Sequence, residues 1–366
     1  MEYAELYGLS TLEPVIEMWE EEAQAESEYN AEEQRINREN ALDRSDWHQG
    51  LLKDKVTILA FSKVISNYKH YFAGKTVLDV GCGIGILSLF AAEAGAARVI
   101  GIEGRSRLAD LAKGAIFENQ CEEVVEVVKH ASDQMTVLGG IEKFDIIISD
   151  WMGQALFSNS LFHNVLRARD KWLKNGGVIL PNVANLYIAG ITDDGHHEHC
   201  VNFWNDVQGF DMSCIGGTVL KSPTIDSVSM PQVLTNACIV YSVNLQSATN
   251  SPRKIRSDFK LQAQRTGTID AFVVYFDVFF MVSRLEAPVS ISTSPQSPRT
   301  HWRQTILPLD AGLHVQPSQF VQGSFGMMPS KRDANISDFE LTILSEGSGR
   351  QVETYKKFYN NQKAQK

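Results

Sequence analysis

Cysteine is scarce in this chain and forms no pattern. The five cysteines in 366 residues (Cys82, Cys121, Cys200, Cys214 and Cys238) include no C-x-x-C pair. That excludes a disulfide-stapled scaffold and predicts reduced thiols in the cytoplasm or nucleus. No apolar run approaches the roughly 20 residues that cross a bilayer as a helix, so no membrane partner is expected. Positive charge is also in short supply: 34 Lys and Arg stand against 44 Asp and Glu, a formal net charge of −10. This balance argues against direct nucleic-acid binding and suits a basic substrate. The first residues, Met1-Glu2-Tyr3-Ala4-Glu5, lack the apolar core of a secretory leader. Internal repeats are absent. What the chain does have is apolar mass: 43% of its residues are hydrophobic, enough to bury a sizeable core in one large domain or two ordinary ones.

The most informative stretch is Val77-Leu78-Asp79-Val80-Gly81-Cys82-Gly83-Ile84-Gly85, followed by Val99-Ile100-Gly101-Ile102-Glu103. An apolar strand runs into a glycine-rich turn, a helix follows, and a second apolar strand ends in a carboxylate. Glycines let the backbone approach a ligand where a side chain would block it. A carboxylate at the tip of the second strand can accept from two ribose hydroxyls. The spacing is G-x-G-x-G rather than the dinucleotide G-x-G-x-x-G. It favours a nucleoside without a pyrophosphate, and S-adenosylmethionine is the common one. The plainer alternative is a strand-to-helix turn of an α/β protein, against which Glu103 argues.

Residues 1–45 form an acidic lead-in, with 15–43 rich in Glu, Ala, Gln, Asn and Arg and either helical or disordered. From Asp46 to Tyr68, the apolar residues Leu51, Leu52, Val56, Leu59, Phe61 and Val64 recur near helical spacing. Strands at Val77–Val80, Val99–Glu103, Val124–Lys129 and Phe144–Asp150 alternate with helices at Ile86–Ala94, Arg107–Asn119 and Ser160–Leu173, which predicts a parallel sheet. Near Gly176-Gly177 the pattern turns β-rich. Val178–Pro181, Leu186–Ile191, Ala237–Val243, Asp258–Ala263, Ala271–Phe280, Trp302–Leu307 and Phe339–Leu344 read as strands of an antiparallel second half. A helical insertion is expected at about 195–214. The run His196-His197-Glu198-His199-Cys200 has the wrong spacing for a structural zinc site and reads as a polar helix start, so no metal is expected. Arg253-Lys254-Ile255-Arg256 reads as an exposed basic loop.

Several segments together resemble the protein arginine N-methyltransferases. Ser149-Asp150-Trp151-Met152-Gly153 stands where that family has S-E-W-M-G, and Thr300-His301-Trp302 is similar to its T-H-W loop. Ser292-Thr293-Ser294-Pro295 and Gly209-Phe210-Asp211-Met212-Ser213-Cys214 are similar to its predominant cytosolic and nuclear group. His48 to Val56 resembles its H-E-E-M-L-K-D-E-V helix. The resemblance spans about residues 45–350. It implies a Rossmann-like S-adenosylmethionine-dependent methyltransferase domain at 46–181 and an antiparallel β-barrel domain at 182–366 carrying a helical dimerisation arm at about 192–215. It further implies a homodimer, or a heterodimer with a paralogue, that methylates arginine in histone tails or Arg/Gly-rich segments. By the same resemblance, His48, Asp79, Gly81, Gly83, Glu103 and Asp133 hold the cofactor, and Asp54 and His301 form an acid–histidine pair beside the acceptor.

A guanidinium is planar, delocalised and protonated, so its nitrogens are poor nucleophiles. The family meets this with two glutamates on a hairpin loop, which draw positive charge to one side of the group. Single contacts of this preorganised kind are worth about 3–4 kcal/mol. Here the first position is Asp150, one methylene shorter, and the second is Asn159, which keeps an acceptor oxygen and loses the charge. Asn159 could alternatively cap a helix that begins at Ser160. The family arginine that grips the methionine carboxylate is Thr57 here, and the aromatic lid segment falls at Arg38-Glu39-Asn40-Ala41-Leu42, with no aromatic residue. Leu51 and Leu161 stand where the asymmetric-dimethylating members have methionines. The residues therefore support an arginine methyltransferase of asymmetric type. Two readings remain beside it: an impaired member acting as dimerisation partner or binding module for arginine-rich proteins, and a methyltransferase with a different acceptor.

Overall fold

The computed structural model describes residues 45–129, 138–192, 202–215, 222–249, 254–282, 288–331, 333, 335–347 and 350–358. The lead-in up to residue 44, Asp133 and the His196–Cys200 run lie outside the described residues.

Two helices open the described chain, α1 (Ser45–Lys53) and α2 (Lys55–Asn67), followed by the single turn α3 (Lys69–Phe72). Asp54 separates the first two because its carboxylate accepts the Thr57 backbone N–H and so caps α2. Helix α2 buries Thr57, Ala60, Phe61, Val64 and Ile65, one face at helical spacing. Leu52 and Leu59, part of the apolar series read from the sequence, face solvent instead, at 38% and 61% exposure.

The alternation that follows builds β1 (Thr76–Val80), α4 (Ile86–Glu93), β2 (Arg98–Glu103), α5 (Ser106–Glu118), β3 (Val125–Lys129), β4 (Phe144–Ile148), α6 (Phe162–Trp172) and β5 (Leu173–Leu180). The strands form one sheet in the order β3-β2-β1-β4-β5, and every pairing is parallel. Val77, Leu78, Val99, Ile100, Ile146 and Ile147 are buried within it, as expected of strands covered on both faces. The strand order reverses between β1 and β4. In open α/β sheets that switch point opens a crevice at the carboxyl ends of the strands.

Val178–Pro181, read from the sequence as opening the β-rich half, belongs instead to the parallel sheet. It is the end of β5, paired with Ile146–Ile148 of β4. Beyond the cis Leu180–Pro181 bond all strand pairing is antiparallel. One sheet runs β7 (Thr224–Asp226), β12 (Gln304–Val315), β10 (Gly267–Phe280), β6 (Val183–Ile191), β8 (Cys238–Asn244), with β11 (Val289–Ser292) also on β10. The other runs β15 (Arg350–Phe358), β14 (Ser337–Gly347), β13 (Phe320–Pro329), β9 (Ile255–Gln262). The result is a Rossmann-like sheet domain joined to a barrel-like antiparallel one. One large apolar core runs through both, from Ala60 to Ile343, beside a smaller cluster of Ala189, Ile191, Val228, Ala271 and Val273. Burying each of its large side chains is worth about 1.5–3 kcal/mol. Trp151, fully buried, donates its indole N–H to the Pro181 carbonyl at 3.2 Å, at the end of the sheet domain where the barrel begins.

The expected helical arm is not one helix among the described residues. Residues 202–215 hold a short 3-10 turn at Phe203–Asn205 and a tight turn closed by mutual backbone bonds between Val207 and Phe210. Asp206 accepts the Gly209 N–H, and Gln208 and Gly209 have positive φ, which stops a helix there.

Candidate functional site

The carboxyl ends of β1, β2 and β4 converge. Ser149, just past β4, donates its hydroxyl to the Val80 carbonyl at 2.7 Å, pinning the two strand ends together. The glycine loop leaves β1 with Gly81 and Cys82 both donating to the Ile102 carbonyl of β2. Gly81 and Gly83 lie at φ +73° and +56°, where a side chain is strained. A Cβ on Gly81 would also meet Leu161 Cδ1 at 2.2 Å, and one on Gly83 would meet the His48 ring at 3.7 Å. Glu103 is buried at the end of β2. Its Oε2 accepts the Gly83 N–H at 3.0 Å and its Oε1 accepts the Arg105 N–H at 2.8 Å. A carboxylate has about four lone-pair sites, so capacity for two hydroxyls remains.

Asp79 is fully buried, with Oδ2 accepting the Ser88 hydroxyl of α4 at 2.7 Å. Its Oδ1 is buried and has no hydrogen-bond partner among the described residues. Burial, opposed by Ser88 and reinforced by the nearby Glu103 and Asp150 carboxylates, pushes the Asp79 carboxyl up to about 7. Asp150 also has a buried Oδ1 without a partner. Burial, relieved in part by His301 and aided by Asp54, pushes its carboxyl up to about 6.

The loop after Asp150 is a tight hairpin. Gly153 and Leu156 exchange backbone bonds, as do Gln154 and Ser158. Ala155, Leu156 and Asn159 all have positive φ. A Cβ on Gly153 would stand 2.0 Å from the Ser158 carbonyl, so only glycine fits there. The loop is tied to the barrel domain at two points. Ser158 Oγ accepts the Ser337 N–H at 3.0 Å, and the Asn159 N–H donates to the Asn335 carbonyl at 2.5 Å. The capping alternative for Asn159 is incorrect. Helix α6 begins at Phe162 with Leu161 as its cap residue, because the left-handed turn at Asn159 faces the β13–β14 connection.

Asp54 and His301 come together from opposite ends of the chain. Asp54 Oδ2 accepts from His301 Nδ1 at 2.8 Å, from the His301 N–H at 2.9 Å and from the Thr57 hydroxyl at 2.9 Å. Burial alone would raise this carboxyl; the bonds from His301 and Thr57 outweigh it and hold it at about 2. The Thr57 hydroxyl is thus committed to Asp54, and the side chain is 1% exposed.

Two comparisons with known families match this geometry. Residues 77–177 fit a methyltransferase domain, and residues 182–346 fit the arginine methyltransferase oligomerization subdomain. The chain is 41% identical over 296 residues to protein arginine N-methyltransferase 1 of Dictyostelium discoideum, covering 81% of this chain and 85% of that one. The chain belongs to the protein arginine methyltransferase family. A second relative of the same name, from Caenorhabditis elegans, is 38% identical over 82% of this chain and 86% of its own. Among solved structures, a chain of the Trypanosoma brucei PRMT1 enzyme-prozyme heterotetrameric complex with AdoHcy superposes with a TM-score of 0.80 at 31% identity, covering 87% of this chain and 99% of that one.

Of the candidate arginine methyltransferase residues, Asp79, Gly81, Gly83, Glu103 and Asp150 gather at one sheet edge, with His48 against Gly83 and the Asp54–His301 pair close to Asp150. Asn159 faces solvent at the end of the hairpin. Three contributors were missed in the sequence: Ser88 under Asp79, and Ser337 and Asn335 beneath the hairpin. Ser88 has a signal, as the one hydroxyl in the otherwise apolar run Ile86-Leu87-Ser88-Leu89-Phe90. Asn335 has none, since its contact spans nearly half the chain.

Proposed function

We propose that the chain transfers methyl groups from S-adenosylmethionine to arginine in proteins such as histones or Arg/Gly-rich proteins, giving asymmetric dimethylarginine. The observation that carries this is the convergence of the glycine loop, Glu103 and an Asp150 with an unpartnered oxygen at one strand switch point. The residues fit the cofactor: the glycines clear the backbone, Glu103 keeps lone pairs for the ribose hydroxyls, and Asp79 leaves a buried oxygen unpartnered under the glycine loop. S-adenosylmethionine, when bound, supplies an electrophilic sulfonium methyl. Asp150 holds the guanidinium and draws its positive charge, leaving the opposite nitrogen electron-rich. Asn159 orients the acceptor through one neutral hydrogen bond. His301, fixed by Asp54, orders the loop or takes the departing proton at Nε2.

The oligomerization subdomain supports assembly, as a homodimer through the arm at about 192–215 or a heterodimer with a paralogue, in the cytoplasm or nucleus. We assign residues 46–181 to the cofactor half and 182–366 to the barrel half. A second reading, an impaired partner subunit, is favoured by the lost charge at Asn159 and by the commitment of Thr57 to Asp54.

The test is methylation of an Arg/Gly-rich peptide. Asp150→Ala should lower the rate at least 100-fold while cofactor binding persists, and Asn159→Glu should raise it. An unchanged rate in Asp150→Ala overturns the assignment. A protein that binds cofactor yet stays inactive even as Asn159→Glu supports the partner-subunit reading.

A further inference from the structure

The antiparallel sheet around β10 has two faces of different character. Leu186, Ile188, Phe276 and Val278 point into the core and are buried. On the reverse face, Tyr187 of β6 stands directly opposite Tyr275 of β10, and their rings stack with centroids 5.1 Å apart at 11°. Two residues along, a polar row crosses four strands: Ser292 of β11, Asp277 of β10, Asn185 of β6 and Ser242 of β8. The Ser242 hydroxyl donates to Asn185 Oδ1 at 2.7 Å, and Asn185 Nδ2 donates to the Tyr187 hydroxyl at 3.4 Å. Tyr187 and Ser292 in turn hydrogen-bond the Asp277 carboxylate. Asp277 Oδ1 is still left without a partner among the described residues. No lysine or arginine stands among these six residues. A buried carboxylate is costly until a cation or further donors meet it. Asn185, Tyr187, Tyr275 and Asp277 are half-buried and Ser242 is exposed, so the described chain leaves this face partly open. Phe276, on the core side of β10 between Tyr275 and Asp277, packs on the Trp302 ring at 5.4 Å, and Trp302 packs on the His301 ring at 3.9 Å. The polar face is thus the reverse of the strand that backs the acceptor side.

We infer that this face holds a second arginine of the substrate chain, its guanidinium packed against the Tyr187–Tyr275 pair and donating to Asp277. This rests on the arginine methyltransferase reading and gives that enzyme a docking point outside its crevice. The chemistry of the face selects arginine. A guanidinium is planar and always charged, stacks on aromatic rings, forks onto a carboxylate and is more weakly hydrated than an ammonium. An outward turn of the Asp277 side chain presents the unmet Oδ1 to it. The arginine held here is bound and not methylated, and no covalent bond changes. An extended chain leaving the acceptor side at His301 rounds a sheet face about 10 Å away in on the order of five to ten residues. Arg/Gly-rich segments, with recurring arginines, supply a second guanidinium at such a separation.

The test is equilibrium binding of fluorescein-labelled Arg/Gly-rich peptides, followed by anisotropy with S-adenosylhomocysteine present, alongside methylation kinetics. A peptide with several arginines should bind the parent protein more tightly than one with a single arginine. Asp277→Asn should weaken binding of the several-arginine peptide about three- to tenfold and leave the single-arginine peptide unaffected. In the kinetics the change should fall on KM, with kcat unmoved. Asn185→Lys, which places an internal cation beside Asp277, should act alike and serves if Asp277→Asn fails to fold. Unchanged affinity for the several-arginine peptide in both variants overturns the inference and leaves the methyltransferase reading standing. So does a loss equal for the two peptides, which would mark a general effect on fold or charge. A variant that keeps its peptide affinity but changes oligomeric state in light scattering assigns the face to a second copy of the chain and overturns the inference too. If the peptides bind as expected and none is methylated, the docking site stands and the methyltransferase reading falls.

Discussion

Asp54 concentrates several roles in one side chain. It caps α2, fixes Thr57 and anchors His301, accepting from two backbone N–H groups, one hydroxyl and one ring nitrogen. Its folded value of about 2 lies below the usual carboxylate range, so the folded state binds fewer protons than the unfolded one between about pH 2 and 4. Its contribution to stability is therefore whole above about pH 4 and lost as pH falls toward 2. Asp54→Asn should be less stable than the parent at pH 7, and the difference should close across that window. Urea unfolding at pH 7, 4 and 2.5 measures it, and a difference independent of pH would contradict the account. The sequence made this pair legible because both partners sit in recognisable motifs. It did not show what replaces the arginine at position 57. Thr57 turns toward the adjacent carboxylate, and only the fold reveals that the hydroxyl is already taken.

At the scale of elements, the hairpin after Asp150 is tightly constrained. Gly153→Ala would drive a Cβ against the Ser158 carbonyl at 2.0 Å, and that neighbour is backbone with no rotamer to yield. Expected is a loss of about 1–3 kcal/mol of stability, as for overpacking, together with most of the methylation activity. Thermal unfolding and the peptide assay check both, and a fully active Gly153→Ala would show that the hairpin is not held as described. The parallel strands were legible because strands buried on both faces read as continuous apolar runs, such as Ile146-Ile147-Ile148. Strand β5 was truncated because its first half, Leu173-Lys174-Asn175-Gly176-Gly177, carries turn residues and pairs with β4 only through Leu173 before the register shifts. Strand β13 went unread because Gly323 and Gly326 interrupt it, and β15 because Arg350–Phe358 is largely polar. At Gly323, a Cβ would meet the Thr342 carbonyl of β14 at 2.1 Å, so the residue that blurs the pattern is one that the close strand approach demands.

Across the whole molecule, the arm presents Phe203 and Phe210 at 56% and 71% exposure. Aromatic surface of that kind is commonly covered by a partner. The chain should be a dimer at micromolar concentration in light scattering, and Phe210→Ser should weaken it; a monomeric parent protein would contradict the assignment of the arm. The glycine loop and its bond to Glu103 were visible in the sequence because they lie within 25 residues of one another. The supports of the acceptor side were not, because Asn335 and Ser337 meet the hairpin from a distant strand.

That attachment bears on how the two halves can be exchanged. The hairpin is encoded between β4 and α6, yet its far end is fastened to the turn before β14. Splicing the nucleotide-sheet half of one homologue onto the barrel of another at residue 181 would therefore cut through a shared joint. Such a hybrid would keep a matched acceptor loop only if the 335–337 turn travelled with the sheet half. The hairpin and its support form a discontinuous unit, made of one segment from each half.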